Sequence, residues 1–297
     1  MWAKNILVYR RTERVPADLE AKLAAKPPVK PGALEWFSQG WVSPAPFREE
    51  VAPSFGGFHV VKLRRDDKVL PGPVIKAALR AKVAEVERRE RRKVGKKEQK
   101  ELKEIVTDEL LAKAMTKDSY TTAWMNDDYV FIDAGSASKG ETVLSALNET
   151  APTFLATLLS TQSSPSNAMT AWVQAGEAPG DFELDSDLAL EDPASGAKVT
   201  VRGGDLTSEE VRKHIEAGMV VKSVSLIWRD RVKVTLTDKL QLKKLKFLEV
   251  VQEDVKSAGD DADAVFEAIF RAMSAEVAAI VADLIKELGG LQEGSDE

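Results

Sequence analysis

The sequence contains no cysteine and only two histidines, His59 and His214. The first absence removes disulfides, thiolate zinc sites, cysteine-ligated iron–sulfur clusters and cysteine nucleophiles. The second leaves little room for imidazole chemistry. His59 falls in a strand-like run and His214 in a charged helical one, and neither lies in a His/Asp/Glu cluster at metal-ligand spacing. Aromatic residues are scarce at 6%. Trp36, Phe37, Trp41, Phe47 and Phe55 fall in a Pro- and Gly-rich stretch, 26–57, where they read as core anchors beneath loops rather than a base-stacking platform. No apolar run approaches the roughly 20 residues of a membrane span. The opening Met1-Trp2-Ala3-Lys4-Asn5 lacks the basic and apolar regions of a secretory signal, so a soluble cytoplasmic protein with no membrane role is expected.

Catalytic patterns are also missing. Gly135-Ser136-Ala137-Ser138-Lys139-Gly140-Glu141-Thr142 follows a strand and opens a helix, as a phosphate loop would. The position that needs a phosphate-binding Lys holds Glu141, whose carboxylate repels phosphate, so a capped helix is the better reading. Asp127 and Asp128 are turn residues pointing different ways, and no Ser occupies a nucleophile elbow. The expectation is a non-enzyme with no catalytic residue, no metal site and no cofactor.

What is present is charge in blocks. Residues 62–117 hold 18 basic and 10 acidic side chains, and 222–246 hold 8 and 2. The stretch 118–221 holds 5 basic and 17 acidic, and 249–297 holds 3 and 13. Such sorting predicts signed faces, one drawing a polyanion and another repelling it, with a nucleic-acid backbone as the leading candidate.

Periodicity places these blocks on elements. Ile6–Tyr9 and Phe58–Leu63 read as strands, and Pro71-Gly72-Pro73 launches a helix from Val74 to about Val94. Gly95 reverses the chain and Lys96 begins a return helix, giving an antiparallel hairpin, apolar at its root and basic in the cluster Arg88–Lys100. Thr121–Ile132 reads as a β-hairpin, followed by a helix with a capping box at Ser138 and Glu141. Residues 160–200 are polar, with weak strands at best. A second capping box, Thr207 with Glu210, opens a helix over 208–217, and Val220–Trp228 with Arg231–Leu236 form a β-hairpin. A long amphipathic helix covers 262–288, closed by Gly289-Gly290, and the acidic tail beyond it is expected to fray. The hairpin strands place Lys222, Arg229, Arg231 and Lys233 near one another, with Lys239, Lys243, Lys244 and Lys246 following, an arrangement suited to backbone contacts rather than base readout.

Ordered, spaced matches then run along the chain: Trp2, Lys4, Asn5, Tyr9 and Arg10; Gly40-Trp41-Val42 with Pro44; and Leu70-Pro71 with Pro73-Val74-Ile75-Lys76. The densest is Asp205-Leu206-Thr207-Ser208-Glu209-Glu210, with His214-Ile215-Glu216-Ala217-Gly218, Trp228, Arg231 and Leu242-Lys243. In these the sequence resembles the RdgC family of bacterial recombination-associated proteins over essentially its full length. The resemblance implies an α+β fold, a horseshoe of three regions: a central part (1–72 and 118–160), a helical hairpin tip (73–117) and a base (161–297). It implies a homodimer closed into a ring around duplex DNA, binding without sequence preference, located at the nucleoid and restraining a RecA-type recombinase. DNA contacts would come from Lys76, Arg80, Lys82, Lys222, Arg229, Arg231, Lys233, Lys243, Lys244 and Lys246. Leu110, Leu111 and Met115 are candidates for the dimer contact, Met115 standing where an aromatic is expected. The competing reading is a protein–protein adaptor whose basic hairpin docks an acidic partner.

Overall fold

A computed structural model describes residues 2–45, 47–256, 259 and 261–292. The expected fraying of the acidic tail concerns 293–297, outside the described residues. The first half of the chain forms β1 (Ile6–Arg11), α1 (Leu19–Ala24), β2 (Phe37–Val42), β3 (Ser54–Phe55), β4 (Phe58–Val69), α2 (Gly72–Glu90), α3 (Lys96–Leu111), β5 (Met115–Met125), β6 (Tyr129–Asp133), α4 (Ala137–Thr150) and β7 (Ala156–Leu158). The second forms α5 (Pro165–Ala175), β8 (Phe182–Glu191), β9 (Lys198–Val201), α6 (Glu209–Glu216), β10 (Val220–Trp228), β11 (Val232–Thr237), β12 (Leu242–Phe247), α7 (Glu249–Lys256) and α8 (Ala262–Glu287). The fold is α+β.

Among the described residues the strands join one antiparallel sheet in the order β2-β4-β5-β6-β1-β12-β11-β10-β8-β9, with β3 on β4 and β7 on β1. β1 sits in its middle and shows why both faces matter. Alternation sends Ile6 and Val8 to one face and Leu7 and Tyr9 to the other, and all four are buried. Ile6 and Val8 join a core that runs beneath α5, α6 and α8 and takes in Val232, Val234, Leu236, Val277 and Ile280. Leu7 and Tyr9 join a second core under α1 and α4, confined to the first half of the sheet. The opposite face of β10–β12 has no apolar cluster over it among the described residues.

The helical hairpin forms as expected, α2 and α3 inserted between β4 and β5 at the far end of their ladder, where Val69 faces Met115. The long helix also matches its expected bounds: Asp261 caps it by accepting from the Ala264 amide, and Gly289 and Gly290 follow at positive φ.

Other expectations fail for identifiable reasons. The polar stretch 160–200 contains α5 and β8, a ten-residue strand. β8 buries Phe182, Leu188 and Leu190, while Asp185, Ser186 and Asp187 between them are half-buried, so its mean hydropathy stays low. Neither capping box forms a side-chain cap. α4 starts at Ala137, which places Ser138 inside its first turn, and Thr207 bonds Asp205 instead. Of the aromatics in 26–57, Trp41 and Phe55 are core residues, but Trp36, Phe37 and Phe47 are exposed, with Phe37 stacked beneath the Arg65 guanidinium at 3.6 Å.

Candidate nucleic-acid interface

The uncovered face of the second half-sheet is built from two neighbouring strands. On β11, Val232, Val234 and Leu236 turn into the core, which leaves Lys233, Thr235 and Thr237 on the other side. On β12, Leu242, Leu245 and Phe247 are buried. Lys243 and Lys246 are three residues apart and would point to opposite faces of a regular strand. A β-bulge intervenes, with Lys244 in the left-handed region at φ 53°, and the register restores the alignment: Thr235 faces Lys243 and Lys233 faces Lys246. Lys243, Lys246 and Lys233 therefore share one face.

Their neighbours divide the predicted contacts sharply. Lys243 and Lys246 have no carboxylate partner among the described residues. Lys233 is paired with Asp185 and Lys222 with Asp238. Lys244 lies 3.1 Å from Asp187. Arg229, at the turn, bonds Asp181 at 2.7 Å and Asp283 of α8 at 3.0 Å, with its guanidinium 4.5 Å from the Trp228 ring centroid. Arg231 reaches Glu276 of α8 at 2.6 Å. These two arginines tie the β10–β11 turn to the long helix, on the core side of the sheet.

The acidic partners come from the blocks that looked separate in sequence. Asp181, Asp185 and Asp187 belong to β8 and the segment before it, and Asp283 and Glu276 to α8. The segregation of charge along the chain is thus partly undone by the fold. Burial pushes the Asp185 carboxyl up, but the Lys233 ammonium, the Ser186 amide and the Ser225 hydroxyl outweigh it and hold the carboxyl below its ordinary range. The Gly203 amide and the Lys244 ammonium do the same for Asp187. Both acids stay ionised at neutral pH, and both pairs persist. No signal in the local sequence pairs β8 with β10, because two bulges interrupt their register.

Lys76, Arg80 and Lys82 lie on α2, attached to β4, from which β12 is separated in the sheet by β5, β6 and β1. Lys76 and Arg80 are exposed and Lys82 pairs with Glu85 at 3.3 Å. At the tip, Arg92 forms a two-pronged bond with Glu98 and also holds Glu90, while Lys93 engages Glu87. The Arg92 bond is the main reason the Glu98 carboxyl lies below its ordinary range. Arg88, Arg91, Lys96, Lys97 and Lys100 remain exposed without a carboxylate partner among the described residues. Of the dimer candidates, Leu111 is buried inside the hairpin, Leu110 is half-buried, and Met115 is 82% exposed.

The remaining candidates for chemistry have structural surroundings. His59 Nδ1 lies 3.4 Å from the Ala52 carbonyl. Asp127 accepts from the Val15 amide, and Asn126 folds the turn by accepting from the Asp128 and Tyr129 amides. Gly140 of the would-be phosphate loop packs on β1, where an added Cβ would sit 2.4 Å from Leu7 Cδ1. Among the described residues no three His, Cys, Asp or Glu side chains converge to hold a metal ion, and no helix is long and apolar enough to cross a membrane.

The fold and this surface define a class: an α+β protein with one long antiparallel sheet, an inserted basic helical hairpin and an uncovered, lysine-bearing sheet face. The chain belongs to the RdgC family. The family profile described as "Putative exonuclease, RdgC" matches residues 1–291. The recombination-associated protein RdgC of Laribacter hongkongensis is 44% identical over 99% of this chain and 100% of its own length. Its namesake in Neisseria meningitidis serogroup B is 38% identical over 99% and 100%. That of Dechloromonas aromatica is 32% identical over 98% of each.

Proposed function

We propose that this protein binds duplex DNA through its backbone, without sequence preference, as a homodimer closed into a ring, and that by occupying DNA at the nucleoid it restrains a RecA-type recombinase. The observation that carries the DNA-binding part is the bulged β12, which brings Lys243 and Lys246, without a carboxylate partner among the described residues, to the sheet face opposite the core. Lysines at such spacing neutralise successive phosphates. Among the described residues, Lys243 and Lys246 offer charge for phosphates rather than the paired donors and acceptors that read base edges. The exposed cations of the hairpin tip extend the positive surface, and Met115 at its root offers an apolar contact for a second copy.

The test is fluorescence anisotropy with labelled duplexes of unrelated sequence at several salt concentrations. Equal affinities and a steep log–log salt slope are expected. Absence of binding at low salt overturns the reading and favours an adaptor whose basic hairpin docks an acidic protein. No nuclease role is assigned: an end-labelled duplex incubated with the protein and Mg2+ should stay at full length.

A further inference from the structure

No sequence pattern singles out Arg202, which follows β9, yet the fold brings it to the face that carries Lys243 and Lys246. Val224, Leu188 and Val201 are register partners on β10, β8 and β9, and all three belong to the core side. Their neighbours Ser223, Ala189 and Thr200 are partners in turn and so point the other way. On that face Thr200, Arg202, Ser223, Thr235, Lys244 and Asp187 line a pocket of about 90 Å3. Thr235 faces Lys243 in the β11–β12 register, which sets the pocket beside the lysine pair.

The charges of the pocket do not cancel. Asp187 is engaged by the Gly203 amide at 3.1 Å and by the Lys244 ammonium at 3.1 Å, which matches its charge. Arg202 is exposed and has no carboxylate partner among the described residues, so one positive charge is in surplus. The Thr200 and Ser223 hydroxyls, both half-buried, have no side-chain hydrogen bond to another described residue. A group with one negative charge and several acceptor oxygens matches this set, which is the chemistry of a phosphodiester.

We infer that this pocket holds one phosphate of the DNA backbone, with Arg202 supplying the charge and Thr200 and Ser223 the hydrogen bonds. The contact presupposes the duplex binding proposed above and extends its footprint from β12 to the end of β9. Those two strands are separated in the sheet by β11, β10 and β8, which sets them roughly 19 Å apart. Arg202 and Lys243 are therefore expected to neutralise different phosphates.

The experiment is the anisotropy titration of full-length protein on a labelled duplex at several salt concentrations, read as the log–log slope. Arg202→Gln should reduce the slope by about 1 in the wild-type background and by about 1 again in Lys243→Gln. Arg202→Lys, which keeps the charge, should retain it. Ser223→Ala removes a neutral donor, so binding should weaken on the order of tenfold at constant slope. Lys30→Gln is the control, because Lys30 is exposed in the segment beside β2, at the opposite end of the sheet, and its slope should equal that of wild type. An unchanged slope in Arg202→Gln, or unchanged affinity in Ser223→Ala, overturns the assignment while leaving duplex binding in place. An equal fall in Lys30→Gln also overturns it, since net charge alone then accounts for the effect. Wild-type protein that binds no duplex overturns both this contact and the DNA-binding reading. Urea midpoints report whether each variant is folded.

Discussion

Lys243 and Lys246 owe their shared orientation to Lys244, the extra residue of the bulge, whose own ammonium is occupied by Asp187. These three lysines should therefore behave differently. Lys243→Gln and Lys246→Gln are each expected to weaken all duplexes alike and to reduce the log–log salt slope by about 1, read by anisotropy. Asp187→Asn removes the competing carboxylate from Lys244 and should raise duplex affinity in the same assay. Arg231→Gln should act on folding instead, because it leaves Glu276 largely buried opposite a neutral group; the expected loss is about 2 kcal/mol in urea unfolding. Acid should have a related effect. Asp185 and Asp187 have folded pKa values below their unfolded ones, so the stability they contribute is fully present above about pH 4. It is lost as pH falls through their folded values. The urea midpoint should drop on acidification, and less steeply in Asp185→Asn.

Elements differ in how much of them local sequence specifies. The β10–β11 hairpin and α8 were legible because each has a recognisable end: Arg229 and Asp230 at positive φ in the turn, Gly289 and Gly290 after the helix. The helical hairpin was legible for the same reason. β8 was not, since bulges break its alternation against β10 and Asp185 and Asp187 dilute its apolar residues. The lysines of the site could be named from sequence, but their partners could not. Whether Lys233 is free depends on Asp185, and that contact is made only through strand pairing across the sheet. Gly140 illustrates the same dependence. Its motif already read as a helix start rather than a phosphate loop, but its packing against Leu7 and Tyr9 of β1 depends on where α4 sits on the sheet. Gly140→Ala should cost about 1–3 kcal/mol in urea unfolding through overpacking.

At the scale of the molecule, one sheet carries a core on each face of its first half and on only one face of its second, and the uncovered remainder holds the unpaired lysines. The proposed dimer adds a prediction here: if Met115 contributes to its contact, Met115→Glu should shift the protein from dimer to monomer in sedimentation velocity, because it places a charge on the exposed root of the hairpin. The position of that hairpin has another consequence. The chain leaves the sheet at Val69 and re-enters at Met115, two residues that face each other on adjacent strands. Residues 70–114 are therefore a cassette, exchangeable for a short turn without altering the register of any other strand pair. Insertions and deletions there are edits to an appendage, and selection can lengthen, shorten or recharge it while the scaffold that carries Lys243 and Lys246 stays the same.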